Sequence, residues 1–451
     1  MTDLPPEVTR WLAARAVSVK TETVPEAAVT VARQCILDWF GVTLPGASEP
    51  ATEILRDELL EEGATPVATL IGHNARSSAS HAAVINGTAS HALDFDDVNM
   101  AILGHPTVAI LPGLVALAEQ TSASEAEVIA AFVTGYDIAC RVGLLVSPSH
   151  YTHGFHATAT VGSIGAAVAC AHLMRLDEDR MAMAIGIAVT TASGLKSMFG
   201  TMCKPFHAGR AAQNGLLAAR LAARGYSSRP DALECAQGFS ATQSTDFNPE
   251  AAMQDVPLDH HIRGNLFKYH ASCYLTHGAI EAALTLRRKT GVSSKSISKI
   301  EIRVPPITDR VCNVAAPTDG LEAKFSLRLT VAMALAGRDT SAIATYSNAT
   351  TQDPELVRLR DLADIVFDDT LPEAKARISV SSGDRTADAS HDAGVPSTDL
   401  TQQQQKLEQK FTALVTPVLG ASRTETLCAA LTCFGTSHTL APVLAMTENP
   451  R

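Results

Sequence analysis

Apolar positions recur at helical spacing through most of the first 265 residues. "AVTVARQCILDWFG", "VIAAFVTGYDIACRVG", "DEDRMAMAIGIAVTTASG" and "RAAQNGLLAARLAARG" are the clearest runs, and such a period predicts helices with a core face. Thr23 with Glu26 and Ser124 with Glu127 fit the capping box before the first two runs, and Gly41 and Gly143 are their predicted stops. Acidic residues fill the first turn of the third run, and Gly225 follows the fourth as a C′ residue. After about residue 290 the period changes. Ile300, Ile302 and Val304 alternate as in a half-buried strand, and "ARISVSSGDRTADAS" predicts two strands around a Ser-Gly-Asp turn. Helices are predicted between them in "KFSLRLTVAMALAG" and around "DPELVRLRDLADIV", and from "STDLTQQQQKLEQKFTALVTPVLG" onward the pattern is helical again.

The chain of 451 residues exceeds the size at which one core keeps growing, so two domains are expected. The hydrophobic share of 46% with only 5% aromatics favours closely packed helices. A net charge of -11 without basic runs excludes a phosphate-backbone footprint, hence no nucleic-acid partner. The nine cysteines are odd in number and scattered, which predicts reduced thiols and a cytoplasmic location, and "MTDLPPEVTRWLAARAV" has no apolar signal region. The uncharged run 156–174 has the length of a membrane span, but Ala, Gly, Thr and Ser dominate it, so a buried helix and no membrane are expected.

Four segments place polar residues in apolar surroundings, which is costly unless the groups are paired or used. "HALDFDDVNMAILGHP" holds His91, Asp94, Asp96, Asp97 and His105. Its carboxylates invite a Mg²⁺ reading, but no Gly-rich phosphate loop accompanies them, and one Asp capping a helix while another orients a histidine is the plainer account. "YTHGFHATATVG" brings Tyr151, His153 and His156 ahead of a helix, whose dipole keeps a histidine there neutral. In "SMFGTMCKPFHAGRAAQNG", Lys204 is predicted in extended backbone before a helix starting near Gly209, beside His207 and Arg210, a setting that suits a carboxylate. "KYHASCYLTHG" offers Lys268, His270, Cys273 and His277; Cys273 and His277 at i, i+4 on a helix could bind zinc, but no second ligand pair or C-x-x-C occurs, so no metal is expected.

Taken in order, "LDWFGVTLPG", "NGTASHALDFDD" with its later "HP", "GYDIACRVG", "GFHATATVGSIGAA", "KPFHAGRAAQNG", "KYHASCYLTHGAIEA" and "KFSLRLTVAMAL" make most of the chain resemble the MmgE/PrpD family of 2-methylcitrate dehydratases, cis-aconitate decarboxylases and iminodisuccinate epimerases. The resemblance implies a mainly α protein: a large all-helical domain from both chain ends (1–266 and 398–451), an inserted α+β lid (267–397) and a homodimer. It implies no cofactor and no metal, a small di- or tricarboxylate substrate, and a site between the helical domain and the lid. By matching position, it assigns catalysis to Asp94, His105, His156, Lys204 and Lys268, with Tyr151, His207 and Cys273 added to the two lysines for substrate binding. Three departures stand out: Val98 and Asn99 where many relatives read Thr-His, Ala271 where many have proline, and Cys273 where the mammalian decarboxylase is expected to carry histidine and the fungal one cysteine.

The implied chemistry develops negative charge on carboxylate oxygens. Lys204 and Lys268 would stabilise it by about 2.7 to 4 kcal/mol per preorganised donor, a neutral His156 or His105 would move the carbon-bound proton for about 10² to 10⁴-fold, and Asp94 would orient an imidazole. A hydro-lyase of the 2-methylcitrate dehydratase kind is the first expectation and an iminodisuccinate-type epimerase the second. A cis-aconitate decarboxylase is the third. Retention of both lysines and both histidines argues against an inactive binding homologue.

Overall fold

The computed structural model describes residues 7–449. The fold is mainly α, and the chain divides into two compact units, one formed by the residues up to Asn265 with those from Asp399 on, the other by Leu266–Thr398.

In the first unit, helix Ala157–Leu173 is buried along its first fifteen residues and packs against Cys203–Ala223, Glu125–Val146 and Pro106–Thr121. Helix Cys203–Ala223 in turn lies on Ala79–Ala92. Small residues make these crossings close: a Cβ on Gly87 would meet the Gly209 Cα at 2.6 Å, and one on Gly135 the Gly165 carbonyl oxygen at 2.5 Å. The uncharged run 156–174 is therefore a helix of the core. Among the described residues one helix, Glu125–Val146, has the length and apolarity to cross a membrane, and 94% of its most apolar window is buried inside the protein. Helix Leu400–Leu419, where the chain re-enters this unit, packs on Glu26–Gly46.

The second unit carries a four-stranded sheet in the order Ala363–Phe367, Lys299–Val304, Lys375–Ser382, Arg385–Asp392. The first pair is parallel and the others antiparallel, with Ile300, Ile302 and Val304 buried as their alternation predicts. Gly383, at φ +58, turns the final hairpin. Helix His277–Thr290 packs on the last two strands, and Leu327–Ala336 packs on that helix and on Pro354–Asp361.

Local chemistry set some boundaries differently from the sequence pattern. The Ser124 capping box forms, Ser124 accepting from the Glu127 N–H at 3.3 Å. The Thr23 box does not: Pro25 is the N-cap of Glu26–Gly46, and Thr23 sits in a separate turn, Thr21–Thr23. Gly41 and Gly143 stop nothing, because their helices run on to Gly46 and Val146. Both instead give room to a neighbour, Phe411 at Gly41 and the Ala101–Ile102 backbone at Gly143. Lys204 is not in extended backbone: its helix starts at Cys203, with Pro205 tolerated in the first turn, where no intrahelical N–H bond is lost. "DPELVRLRDLADIV" ends as the edge strand Ala363–Phe367 rather than as helix. Cys273 and His277 do not share a helix face, since Cys273 precedes the turn Tyr274–Thr276 and His277 opens the helix.

Candidate active site

Three helices of the first unit begin at one place. His105 is the N-cap of Pro106–Thr121, His156 is the N-cap of Ala157–Leu173, and Lys204 lies in the first turn of Cys203–Ala223. None of the three has an acidic residue in its first turn, so their positive dipole ends are not neutralised from within. Ala79–Ala92 arrives with its C-terminal turn, which carries His91. The Gly87–Gly209 crossing is what brings His91 beside the segment holding Lys204 and His207.

The loop from Leu93 to Gly104 supplies the carboxylates. Asp94 adopts φ +49, a left-handed conformation that Asp tolerates better than most residues, and so turns the chain between two functional contacts. Its Oδ1 is 2.9 Å from Lys204 Nζ and 4.0 Å from His105 Nε2. Asp96 is the hub. His91 Nδ1 is 3.0 Å from both of its oxygens, and His105 Nδ1 is 2.9 Å from Oδ2. Asp96 thus faces Nδ1 of both imidazoles, and Asp94 meets Lys204 on one side and His105 Nε2, farther off, on the other. Asp97 points elsewhere, accepting from Thr107 at 2.5 Å and from Asn265 at 2.9 Å.

The rings form a contiguous group. The His91 centroid is 4.7 Å from His105 and 5.9 Å from His156, and His156 Nδ1 is 3.1 Å from His207 Nδ1. Phe199 closes one side, edge-on to His156 at 5.0 Å and 5.4 Å from Lys204 Nζ.

Burial sorts the charges. It depresses His91 to about 4 against the pull of Asp96, so His91 is neutral and donates to that carboxylate. Burial lowers His156 further, helped by its neighbours His91, His105, Lys204 and His207, and it lowers His207 as well. Burial alone would raise Asp96, but the charges and hydrogen bonds of His105 and His91 outweigh it and hold the carboxyl well below its usual range. For Asp97 burial wins over the Thr107 hydrogen bond and pushes it up to about 6.

His91, Asp94, Asp96 and His105 place ligand-type atoms within 4.8 Å of one another. Yet Lys204 already neutralises Asp94, and both imidazoles turn Nδ1 toward Asp96. The carboxylates thus face the protein's own ammonium and ring nitrogens, while the buried His91 Nε2 has no hydrogen-bond partner among the described residues.

Of the other sequence candidates, Tyr151 is in the first unit and those from Lys268 on are in the second. Tyr151 packs under Lys196, whose Nζ is 3.5 Å from the ring centroid and 3.0 Å from the Tyr151 carbonyl oxygen. Lys268, His270, Cys273 and His277 belong to the second unit. There Lys268 is buried, His270 Nδ1 is 2.8 Å from Thr340 Oγ1, and His270 Nε2 is 3.6 Å from Glu281 Oε1. His277 Nε2 is 3.3 Å from the Ser272 carbonyl, and the Cys273 N–H donates to the Lys324 carbonyl. His91 and Asp96 were in view in the sequence but not among the residues assigned to catalysis; their five-residue spacing across a helix end was the available signal.

Residues 10–252 match the MmgE/PrpD N-terminal domain and residues 270–434 the MmgE/PrpD C-terminal domain; the chain belongs to this family. Among curated relatives, it is 29% identical over 306 residues to the cis-aconitate decarboxylase-like protein oryM of Aspergillus oryzae, covering 64% of each chain. It is 29% identical to the cis-aconitate decarboxylase of Aspergillus terreus (63% of this chain, 60% of that one). To the human cis-aconitate decarboxylase it is 26% identical over 416 residues, 88% of this chain and 85% of that one. The match thus spans less than two thirds of these fungal relatives and most of the human one.

Proposed function

We propose that the chain is a lyase acting on a small tricarboxylate, and that it decarboxylates a cis-aconitate-like acid. The observation that carries this reading is the meeting of three helix N-termini free of acidic residues, with Lys204, at a carboxylate-bridged imidazole pair. Helix N-termini and an ammonium favour carboxylates, and the imidazoles move a proton. The names of the relatives support decarboxylation ahead of the dehydration first expected, and they do not support epimerisation.

In this reading a substrate carboxylate takes Lys204 in competition with Asp94. The bond from carbon to the departing carboxylate breaks and CO₂ leaves. Its electron pair forms a new alkene, and the pair of the old alkene takes a proton at its far carbon from the imidazolium of His105. Asp96, kept ionised, balances that charge and fixes the ring. Burial and the neighbouring His91, His105, Lys204 and His207 favour a neutral His156, and in this reading it hydrogen-bonds while His105 carries the proton. The same acid could protonate a leaving hydroxyl, which keeps dehydration of a 2-methylcitrate-like acid as the second reading. Substrate contacts by Lys268, Cys273 and Tyr151, the homodimer and a cytoplasmic location remain parts of the proposal that rest on the family resemblance.

The test is incubation with cis-aconitate, 2-methylcitrate or iminodisuccinate in D₂O, with and without EDTA, followed by NMR. Itaconate carrying one deuterium is the expected product. An alkene formed from 2-methylcitrate would move the assignment to a hydro-lyase, and absence of both turnover and exchange with every acid would overturn the proposal.

A further inference from the structure

The loop that supplies Asp94 and Asp96 is held from behind by a charge the mechanism does not use. Lys410, on helix Leu400–Leu419, has a side chain only 2% exposed. Its Nζ lies 2.5 Å from Asp38 Oδ1 on helix Glu26–Gly46, 2.7 Å from the Phe95 carbonyl oxygen, and 4.1 Å from the Phe95 ring centroid. Phe95 stands between the two site carboxylates, and its carbonyl belongs to the peptide that carries the Asp96 nitrogen. That peptide lies one residue beyond the left-handed Asp94, a conformation that persists only where its surroundings hold it.

A buried ion pair is weak grounds for stability, since apolar replacements of similar volume are often neutral or better. An ammonium here is better explained by what it fixes. We propose that Lys410 is a positioning residue of the active site: it clamps the Phe95 peptide so that Asp94 meets Lys204 while Asp96 meets His91 and His105. The clamp also sets a positive charge behind a run of three acidic side chains, Asp94, Asp96 and Asp97, with Asp38 close by. The consequence for kcat rests on the lyase reading above; the consequence for the histidines does not.

The experiment uses the full chain with ¹⁵N-labelled histidine. In the parent, the Nδ1–H groups of His91 and His105 facing Asp96 should give low-field proton signals, assigned with His91→Gln and His105→Gln. In a folded Lys410→Met protein these signals should broaden or shift upfield, and kcat with cis-aconitate should fall by about 10- to 100-fold, the scale of an ångström-level misplacement, with KM changed less. Lys410→Arg should restore part of both. If the parent has no activity on any tricarboxylate, the lyase reading fails and the histidine signals alone decide the clamp. A folded Lys410→Met with unchanged signals overturns it. Should that variant not fold, Asp38→Leu/Lys410→Met removes the orphaned carboxylate and takes its place; failure of both to fold would assign Lys410 to the fold alone and also overturn the proposal.

Discussion

Two groups of histidines and lysines, one in each unit, look alike in composition and differ in construction. The first takes His91, Asp94, Asp96, His105, His156, Lys204 and His207 from four helix ends and one loop, and leaves Asp94 52%, Lys204 17% and His105 13% exposed. The second takes Lys268, His270, Ser272 and His277 from ten consecutive residues and adds Thr340 and Glu281, with His270 and Glu281 side chains at 5% and 7%. The first group gathers partly exposed polar atoms from separate segments, and the second is a short buried strip in which His270 Nε2 has no hydrogen-bond partner among the described residues. Density of chemical residues along the chain is therefore a poorer guide than the number of separate segments that contribute, because reacting groups must converge from several directions while a buried strip needs only partners.

Substitutions can break or sharpen that contrast. The largest effect is expected from His105→Gln, which removes the proton carrier beside Asp96: kcat should fall by about 10² to 10⁴-fold, measured as itaconate formation. Lys204→Met should follow, losing about 2.7 to 4 kcal/mol of transition-state stabilisation, read as kcat/KM. Loss of less than tenfold in either would place the chemistry elsewhere.

His91→Gln sharpens the comparison through pH. The folded His91 titrates near 4, below the ordinary 6.5, so between these values the unfolded chain binds more protons and wild-type stability is lost as pH falls from about 6.5 to about 4. Two and a half units correspond to at most about 3 kcal/mol. Asp97, raised to about 6, works in the opposite sense, losing stability as pH rises through about 4 to 6. The variant's deficit in Tm relative to wild type should therefore be greatest near pH 7 and shrink toward pH 4.5; a deficit independent of pH would contradict the buried, neutral imidazole.

The smallest effect on activity is expected in the second group. His270→Gln leaves Thr340 without its ring partner and should cost about 1 to 3 kcal/mol in denaturant unfolding, with kcat within about tenfold of wild type, below the range for a lost proton carrier. A loss of turnover matching that of His105→Gln would erase the distinction between the groups.

Much of this was legible in the sequence. The helical period, the Ser124 capping box and the strand alternation at Ile300 to Val304 are local effects, and they formed as local chemistry dictates. His105, His156 and Lys204 stood out because helix starts and polar islands are also local. What was not legible depends on tertiary approach. Gly41 and Gly143 read as stops because a sequence does not show the neighbour that needs the missing side chain. The contact of Asp96 with both imidazoles was not legible because it depends on a loop turned by the left-handed Asp94. Lys410 was hidden among the polar residues of an amphipathic helix, where a lysine ordinarily faces water.

The Lys410–Asp38 contact joins residues 372 apart in sequence. Contacts of such separation form late, because the closure entropy of the intervening chain must be overcome first. During synthesis Asp38 and the Phe95 peptide exist long before the lysine that meets them, so a nascent or truncated chain lacks the cation that opposes the upward push of burial on Asp38. Assembly of the chemistry is thereby coupled to completion of the polypeptide: fragments ending before Leu400 should be both inactive and readily degraded, which is a form of quality control written into the topology.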